Sequence, residues 1–468
     1  MLTVTGATAG GRSRPALGEF QFAPAVAFDG TNYLVVWQEE RTSSWDVYGA
    51  RVSPAGTVLD QGGIVISTAP GNQYEPTVAF DGTNYLVTWC DSRSGTDNRD
   101  IYGARVSPAG SVLDPAGIAI STAAGAQTSP ALAFDGTNYL VAWTSEGMPY
   151  GARVSRAGAV LDPAGIAIAP AAPDARDPSV AFDGTNYLVA WGERGYDIYG
   201  ARVSPAGSVL DANRIAISTA VGFQFQEFPA LAFDGTNYLV AWQADRCGCR
   251  NLDVYGARVS SAGAVLDPDG IPISTAGFTQ KAPSVAFDGA NYLVAWEDAR
   301  SGLDWDAYGA RVSPAGAVLD SNAIGISTVA GEDRTPALAF DGTNYLVAWE
   351  GYRFGYLIWG ARVSRAGTVL DQEQIPIGAP PAPPPPPPPP PPSSPPPPPP
   401  PSARCKVPRV IGLRLSAARK RIWARHCALG RVQRVRSRRV GRVVRQNPKP
   451  GTVRRWGFPV KLIIGRRR

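Results

Sequence analysis

The residues able to support acid–base or electrostatic chemistry recur through most of the chain at regular spacing. Each repeat has an Asp in a Phe-Asp-Gly triplet and an Arg at the end of a Gly-Ala-Arg triplet. The Phe-Asp-Gly triplets begin at Phe28, Phe80, Phe134, Phe182, Phe233, Phe287 and Phe340. An active site needs its catalytic groups once, whereas these groups occur seven times. We therefore expect turn-capping contacts and ion pairs that support the fold.

A second set of charges follows the predicted second strand of several repeats, as in Glu40-Arg41, Glu193-Arg194 and Asp245-Arg246. The same structural role is expected, although their position beside variable loops lets a few of them reach a ligand. The only His is His426, near the end of the chain, which excludes a Ser-His-Asp hydrolase from the repeats. No glycine-rich loop opens a helix, and no Cys or His spacing matches a zinc site. The sequence predicts no catalytic residues, no metal and no cofactor.

The spacing of the Phe-Asp-Gly triplets, 52, 54, 48, 51, 54 and 53 residues, defines seven repeats of about fifty residues. Each repeat is predicted to contain four strands, which in the first copy are Pro24–Phe28, Tyr33–Trp37, Val47–Ser53 and a strand within Val58–Ser67. The second strand is apolar on both faces, as expected of a sheet stacked between two others.

These repeats resemble the Trp-x-Asp-x-Arg…Asp-Ile-Tyr-Gly propeller repeats of secreted bacterial proteins, and Asp91, Arg93, Asp100 and Ile101 carry that pattern best. The resemblance implies an all-β seven-bladed β-propeller over residues 1–378. A β-solenoid is the alternative, but its coils are usually shorter than these repeats. The propeller predicts equivalent buried positions for one Trp in each repeat: Trp37, Trp89, Trp143, Trp191, Trp242, Trp296 and Trp349.

The start of the chain allows two interpretations. Leu2-Thr3-Val4-Thr5 resembles an eighth copy of the Ile-x-Ile-Ser strand and could close the ring of blades, or the chain begins in the middle of a repeat. The second interpretation also accounts for the lack of a signal peptide at Met1, which would then lie upstream.

Two connections vary between repeats, the one after the second strand and the one before the first strand, and in a propeller blade both lie on the same face. Because variable loops on a rigid scaffold often bind ligands, their aromatic residues are candidates for a glycan or protein site. The alternative is drift of unconstrained loops. The candidates are Trp45, Tyr196, Trp305, Tyr352, Phe354 and Tyr356.

Residues 379–403 are predicted to form a polyproline II spacer, the alternative being a ligand for aromatic-groove domains.

The charge differs sharply between the two parts of the chain. Residues 402–468 contain 22 Lys plus Arg and no Asp or Glu. The rest of the chain contains the other 23 basic residues (45 minus 22) and all 39 acidic ones. The basic tail should bind anionic polymers, and the Arg run at Arg434, Arg436, Arg438 and Arg439 is its candidate site. Nucleic acid is the less favoured partner because few aromatic residues are interleaved for stacking.

Residues 404–468 open with Val-Pro-Arg-Val-Ile-Gly-Leu and carry a Gln-Asn-Pro-Lys-Pro-Gly turn from Gln446. This segment resembles a PASTA domain, a small α+β module of order βαβββ. The resemblance implies binding to peptidoglycan or another anionic wall polymer. The strand and helix between Cys405 and Cys427 should bring these two residues within disulfide distance. The state of Cys90, Cys247 and Cys249 is left open.

The combined prediction is a non-catalytic extracellular or cell-wall-associated scaffold, monomeric and without a membrane span. Its propeller presents a binding face while its tail associates with the wall. The alternative is a propeller-type carbohydrate-active enzyme, such as a sialidase-like glycosidase, or a lectin held at the wall. Against the enzyme stands the absence of the Ser-x-Asp-x-Gly-x-x-Trp box and of an identifiable unrepeated set of Arg and carboxylate residues.

Overall fold

The computed structural model describes residues 20–41, 44–170, 172, 174–193, 196–219, 225–245, 251–302, 304–352, 355–378 and 404–466. The chain divides into two compact units, Met1–Ala382 and Pro383–Arg468. The proposed closing strand at Leu2–Thr5 and the predicted spacer at 379–403 lie outside the described residues.

Each repeat of the first unit forms four strands in succession. They are β1 (Phe20–Phe28), β2 (Tyr33–Glu40), β3 (Trp45–Val52), β4 (Ile64–Ser67), β5 (Gln73–Phe80), β6 (Tyr85–Asp91), β7 (Asp100–Val106), β8 (Ile118–Ser121), β9 (Gln127–Phe134), β10 (Asn138–Ser145), β11 (Met148–Ser155), β12 (Ile166–Ala167), β13 (Ala175–Phe182), β14 (Tyr187–Glu193), β15 (Asp197–Val203), β16 (Ile215–Ser218), β17 (Phe225–Phe233), β18 (Asn237–Asp245), β19 (Asp253–Ser260), β20 (Ile271–Ser274), β21 (Gln280–Phe287), β22 (Tyr292–Asp298), β23 (Asp306–Val312), β24 (Ile324–Ser327), β25 (Glu332–Phe340), β26 (Asn344–Tyr352), β27 (Tyr356–Ser364) and β28 (Ile375–Pro376).

The strands of each repeat pair in antiparallel order, first to fourth. Repeats two to six form separate four-stranded sheets, whereas a single parallel pair between Phe20 and Tyr356 joins the sheets of the first and last repeats. The predicted all-β architecture of four-stranded units is confirmed. The first strand of the first repeat begins at Phe20, earlier than predicted. Its pairing with the second strand continues on the N-terminal side of a β-bulge at the Pro.

The core lies between neighbouring sheets and is built around the second strands. Tyr33, Leu34, Val35 and Val36 are all fully buried, because both faces of their sheet are covered. The predicted Trp positions are confirmed as core: Trp37, Trp89, Trp143, Trp191, Trp242, Trp296 and Trp349 are at most 2% exposed.

The first strands pack against one another in a closed circuit, β1 against β5, then β9, β13, β17, β21 and β25, which returns to β1. A Tyr hydroxyl joins each repeat to the previous one, as when Tyr85 donates to the carbonyl oxygen of Asn32 at 2.9 Å. The same bond closes the circuit, from Tyr33 to the carbonyl oxygen of Asn344 at 2.9 Å. The arrangement is therefore propeller-like, with first strands innermost.

The second unit contains β29 (Cys405–Lys406), α1 (Leu415–Trp423), β30 (Cys427–Arg436), β31 (Val443–Asn447), β32 (Val453–Arg454) and β33 (Phe458–Arg466). β30, β33 and β31 form one sheet, and β29 pairs with β32. Helix α1 buries Ala418 and Ile422 against this unit's own core. The short β32 is an addition to the predicted strand order.

The predicted disulfide between Cys405 and Cys427 is confirmed, with Cα atoms 4.8 Å apart. Cys90 is a buried free thiol whose pKa is raised to about 12 by burial. Cys247 and Cys249 lie outside the described residues. In the part of the chain that is described, no helix has the length and apolarity to cross a bilayer.

Candidate functional site

The repeated charges serve the hairpin ends of the sheets. Asp29 caps its turn by accepting the N–H groups of Thr31 and Asn32, both at 2.7 Å. The Arg of Gly-Ala-Arg pairs with a different Asp, nine residues later: Arg105 donates to Asp114 at 2.8 and 2.9 Å. That hydrogen bonding holds the pKa of Asp114 below its usual value against the effect of burial. The predicted turn caps and ion pairs are thus present, and they support the fold.

The charges after the second strand form a second repeated arrangement. The indole N–H of Trp89 donates to Asp91 at 2.8 Å, and Asp91 in turn holds Arg93 at 2.7 Å. The Arg93 guanidinium lies 3.7 Å from the centroid of the Tyr102 ring. In the first repeat the acid is Glu39, which pairs with Arg41, and not the adjacent Glu40. Arg194 and Arg246 lie outside the described residues.

The opposite ends of the first strands differ from repeat to repeat. A β-bulge interrupts every first strand beside its Pro, and the residue before that Pro has a positive φ of 45° to 53°. Such a φ is strained for a residue other than Gly, so seven occurrences indicate a backbone shape imposed by the fold. The seven bulge residues are Ala23, Glu75, Ser129, Asp177, Phe228, Ala282 and Thr335.

Most bulges are held by a side chain from the preceding repeat. The N–H of Glu75 donates to Gln38 at 2.8 Å, and the N–H of Ala23 donates to Glu350 at 2.8 Å. Gln38 and Glu350 both follow the Trp of their second strand. The bulge of the third repeat is held from a different position, because Cys90 follows the Trp of the second repeat and the bulge residue Glu75 accepts the N–H of Ser129 instead, at 2.9 Å.

A pocket of ≈ 430 Å³ opens beside the first two bulges. Two carboxylates, one guanidinium and two aromatic rings lie on its surface, contributed by three different repeats. Its lining comprises Phe22, Ala23, Gln38, Tyr74, Glu75, Ser92, Thr96, Arg99 and Glu350.

The two pocket carboxylates lie in different environments. Glu350 is 7% exposed, and burial raises the pKa of its carboxyl group. Glu75 is exposed, and the N–H of Ser129 fixes one of its oxygens. A carboxyl group with a raised pKa beside an accessible carboxylate is the pairing used for acid–base catalysis.

Further carboxylates extend from Glu75 along the inner strands. The Ser129 hydroxyl lies 3.1 Å from an Asp177 carboxylate oxygen, so Ser129 contacts both Glu75 and Asp177. The pKa of Asp177 is raised by burial and by the nearby charge of Glu75. The pKa of Glu227 is raised by burial and by the nearby charge of Asp177. Among the described residues, no group of three or more His, Cys, Asp or Glu side chains is placed to hold a metal ion.

An aromatic cluster continues from the pocket through Phe22. The Phe22 ring lies 5.4 Å from Trp45 and 4.9 Å from Tyr356, and Tyr356 lies 4.8 Å from Tyr352. The structure thus brings together Trp45, Tyr352 and Tyr356, three of the six predicted ligand-binding residues. These rings are half-buried, and a partly exposed aromatic face beside polar groups suits a sugar ring, whose C–H face is apolar.

Among the described residues, the other predicted aromatics make no ring contact with this cluster. Trp305 packs against the cations of Lys281, at 4.5 Å, and Arg334, at 5.4 Å from its ring. Tyr196 is in the fourth repeat and is 56% exposed. Phe354 lies outside the described residues.

Sequence reasoning missed Glu75, Arg99 and Glu350, because the segments that carry them were treated as loops. A signal was available for Glu75: a Pro begins the repeated part of every first strand, and the residue before it is Ala, Glu, Ser, Asp, Phe, Ala and Thr in successive repeats. In the second unit the predicted Arg434, Arg436, Arg438 and Arg439 are all exposed, at the end of β30 and in the loop after it.

The chain matches no family model and no curated protein sequence. Solved structures similar to it include a thermostable family 43 glycoside hydrolase, with a TM-score of 0.35, 14% identity and coverage of 52% of this chain and 91% of that one. A mutant GH43 protein from Bacillus licheniformis has a TM-score of 0.34 and 11% identity, with coverage of 76% of this chain and 82% of that one. A Trypanosoma rangeli sialidase has a TM-score of 0.44 and 10% identity, with coverage of 75% of this chain and 55% of that one.

These structures correct one prediction. The sequence analysis predicts a chain without enzymatic activity, whereas many of the similar solved structures are glycoside hydrolases. The likeness is one of fold alone, so the argument for an activity depends on the pocket residues.

Proposed function

We propose that the first unit is a seven-bladed β-propeller that binds and hydrolyses a glycan at the pocket between Glu75 and Glu350. The observation that carries this proposal is the pocket itself, in which two carboxylates, Arg99 and two aromatic rings come together at positions that differ between repeats. Glu75 and Glu350 each also accept one bulge N–H, but Gln38 makes such a bond in another repeat, so that structural bond does not by itself require a carboxylate.

Each pocket group has a role that its environment favours. Glu350, whose pKa is raised by burial, retains its proton above the range of an ordinary Glu and donates it to the glycosidic oxygen as the C–O bond breaks. Glu75 takes a proton from the water that adds to the anomeric carbon. Arg99 supplies a positive charge for an anionic or hydroxyl-rich group of the sugar, and the aromatic cluster extends the binding surface.

This proposal is tested by screening the full-length protein against a glycan array and, in parallel, against polysaccharides for newly released reducing ends. Glu350→Gln should lower hydrolysis by about 10²- to 10⁴-fold while glycan binding remains. The substitution keeps the bond to the Ala23 N–H, since Gln38 makes the same bond in the next repeat. Wild-type activity should fall as pH rises through the raised pKa of Glu350, because the acid must be protonated.

A matched control is available in the sixth repeat. Glu297 also follows its Trp and accepts the N–H of the next bulge residue, Thr335, at 3.0 Å, but it is not part of the pocket lining. Glu297→Gln should therefore leave the maximal rate of hydrolysis unchanged and, because the charge of Glu297 helps to raise the pKa of Glu350, move only the pH at which activity falls, to lower pH. Equal losses in the two variants would assign Glu350 a purely structural role. Glycan binding by the wild-type protein with no bond cleavage would overturn the catalytic part of the proposal.

For the second unit we propose a PASTA-like module that holds the enzyme on peptidoglycan or another anionic wall polymer, and hence an extracellular location. Its charge supports this role, since residues 402–468 carry 22 basic and no acidic residues. Full-length protein should sediment with purified cell walls and lose that binding as salt rises. Sedimentation that is insensitive to salt, or equal for a chain truncated before residue 404, would contradict the assignment.

A further inference from the structure

A second pocket, of ≈ 490 Å³, lies in the basic unit and does not include the predicted Arg run. Four cationic side chains line it: Lys406 on β29, Arg409 in the following loop, Arg421 in the last turn of α1, and Arg425 just after the helix. No acidic residue occurs between 402 and 468, so the unit contains no carboxylate side chain to neutralise them.

The backbone around this pocket is fixed on both sides. Gln446 clamps the loop that carries Arg409, since its amide accepts the N–H of Val410 at 2.8 Å and donates to the carbonyl oxygen of Pro408 at 2.9 Å. The disulfide joins Cys405, next to Lys406, to Cys427, two residues after Arg425. The backbone segments that carry the cations, on the strand side and on the helix side, are thus held by side chains that do not themselves bind the ligand.

The rest of the lining indicates which anion fits. Pro408, Ile411 and Leu413 supply an aliphatic surface, and Ile411 is 38% exposed. No aromatic ring lines this pocket, so it offers no stacking platform for a nucleobase. Guanidinium groups pair well with phosphate oxygens, often through two hydrogen bonds each. Three guanidinium groups and one ammonium group therefore offer more donors than the two non-bridging oxygens of a single phosphodiester can accept.

We propose that this pocket binds two adjacent phosphates of a polyol phosphodiester chain, with the aliphatic lining against the carbons between them. The inference deepens the proposed wall attachment, on which it rests, by naming the ligand chemistry and the residues. It assigns to Arg421 and Arg425 the role that the sequence analysis gives to Arg434 and Arg436.

The test uses full-length protein with its disulfide intact, titrated with a glycerol phosphate hexamer and, separately, with a dT6 oligonucleotide, at about 0.15 M salt. The wild-type protein should bind the glycerol phosphate hexamer more tightly than dT6. Arg421→Ala combined with Arg425→Ala should weaken hexamer binding by about tenfold or more, since a hydrogen bond to a charged group contributes about 1.5–3 kcal/mol.

The matched control is Arg434→Ala combined with Arg436→Ala, which removes the same charge from exposed positions of β30. It should weaken binding no more than about threefold, the effect of reduced general attraction. Gln446→Met, which retains all charges but releases the Arg409 loop, should give an intermediate loss. Thermal unfolding verifies that each variant remains folded.

Three results would overturn the inference: equal losses in the two double variants, tighter binding of dT6, or no binding of the hexamer. If the pocket variant binds cell walls and hexamer as wild type does, the pocket assignment fails while wall attachment stands. If wild-type protein binds neither walls nor hexamer, the attachment proposal fails as well.

Discussion

The two ends of each four-stranded sheet in the first unit differ in how closely the seven repeats agree. At the hairpin end, the Asp turn cap and the Arg–Asp pair recur in every copy, as at Asp29 and at Arg51 with Asp60. At the bulge end, the backbone recurs but the side chains do not, so that Ala23 of one repeat becomes Glu75 of the next.

This difference separates the residues that recur in every repeat from those that vary at the bulge end. The hairpin end joins neighbours, because Arg51 also donates to the carbonyl oxygen of Pro108 in the next repeat, at 3.1 Å. Replacing such a residue disturbs an interface. A bulge residue contributes its N–H to the scaffold, while its side chain makes contacts that differ between repeats: Glu75 accepts the N–H of Ser129, and the Ser129 hydroxyl contacts Asp177.

The strongest test of this comparison replaces a core residue of the ring. Trp191 is fully buried, and Trp191→Ala should lower the free energy of unfolding by about 3–5 kcal/mol through lost packing and a cavity. Glu75→Gln, at an exposed bulge position, should change it by no more than about 0.5 kcal/mol. Urea unfolding measures both. A loss below about 1 kcal/mol for Trp191→Ala would contradict the core assignment.

The sequence could predict the ring because its signals recur. Seven Trp at one register and seven Phe-Asp-Gly turns identify the strands, and a core position needs only to be apolar and regularly spaced. The partner of the repeated Arg could not be chosen in the same way. Two Asp recur in each repeat, and only the fold shows that Arg51 lies against Asp60 while Asp29 caps its turn.

The pocket was not predictable for a different physical reason. Glu75 and Glu350 are 275 positions apart and meet only because the circuit of first strands closes. Sequence spacing within one repeat has no information on that closure. The aromatic candidates were partly identifiable, since Trp45, Tyr352 and Tyr356 belong to variable segments, but their convergence on Phe22 also depends on closure.

The second unit sharpens the comparison because its core is small. Replacing both Cys405 and Cys427 with Ser should cost about 3 kcal/mol, the chain-entropy value for a loop of this length. Calorimetry should show the loss in the transition of the basic unit alone. The transition of the first unit should not move, and a shift in it would contradict the division of the chain into two compact units.

A smaller effect is expected at the hairpin end. Asp162→Asn should cost about 1–2 kcal/mol at neutral pH, because Arg153 loses a charged acceptor at 2.8 and 2.9 Å. The hydrogen bonds from Arg153 lower the pKa of Asp162 in the folded state. Its stabilising contribution is therefore complete above the unfolded value of about 3.9 and is lost as pH falls below it.

Urea unfolding between pH 3 and pH 7 measures this contribution. The difference between wild type and Asp162→Asn should be constant at neutral pH and should shrink at the acidic end. A difference that persists unchanged to pH 3 would show that the charge of Asp162 is not what Arg153 recognises.

The smallest effect is expected in the aromatic cluster, and it decides whether the variable end binds anything. Tyr356 is half-buried and contacts both Phe22 and Tyr352, so Tyr356→Ala removes the centre of the cluster without opening the core between sheets. Loss of one stacking ring should weaken glycan binding by about five- to tenfold, or about 1 kcal/mol. Tyr196→Ala is the control, since Tyr196 is an exposed aromatic of a variable segment outside the cluster. If glycan binding falls equally in both variants, exposed aromatic rings contribute singly and the cluster has no special role. If it falls in neither variant, the cluster is not part of the glycan site, and Glu75, Arg99 and Glu350 bind the sugar without it.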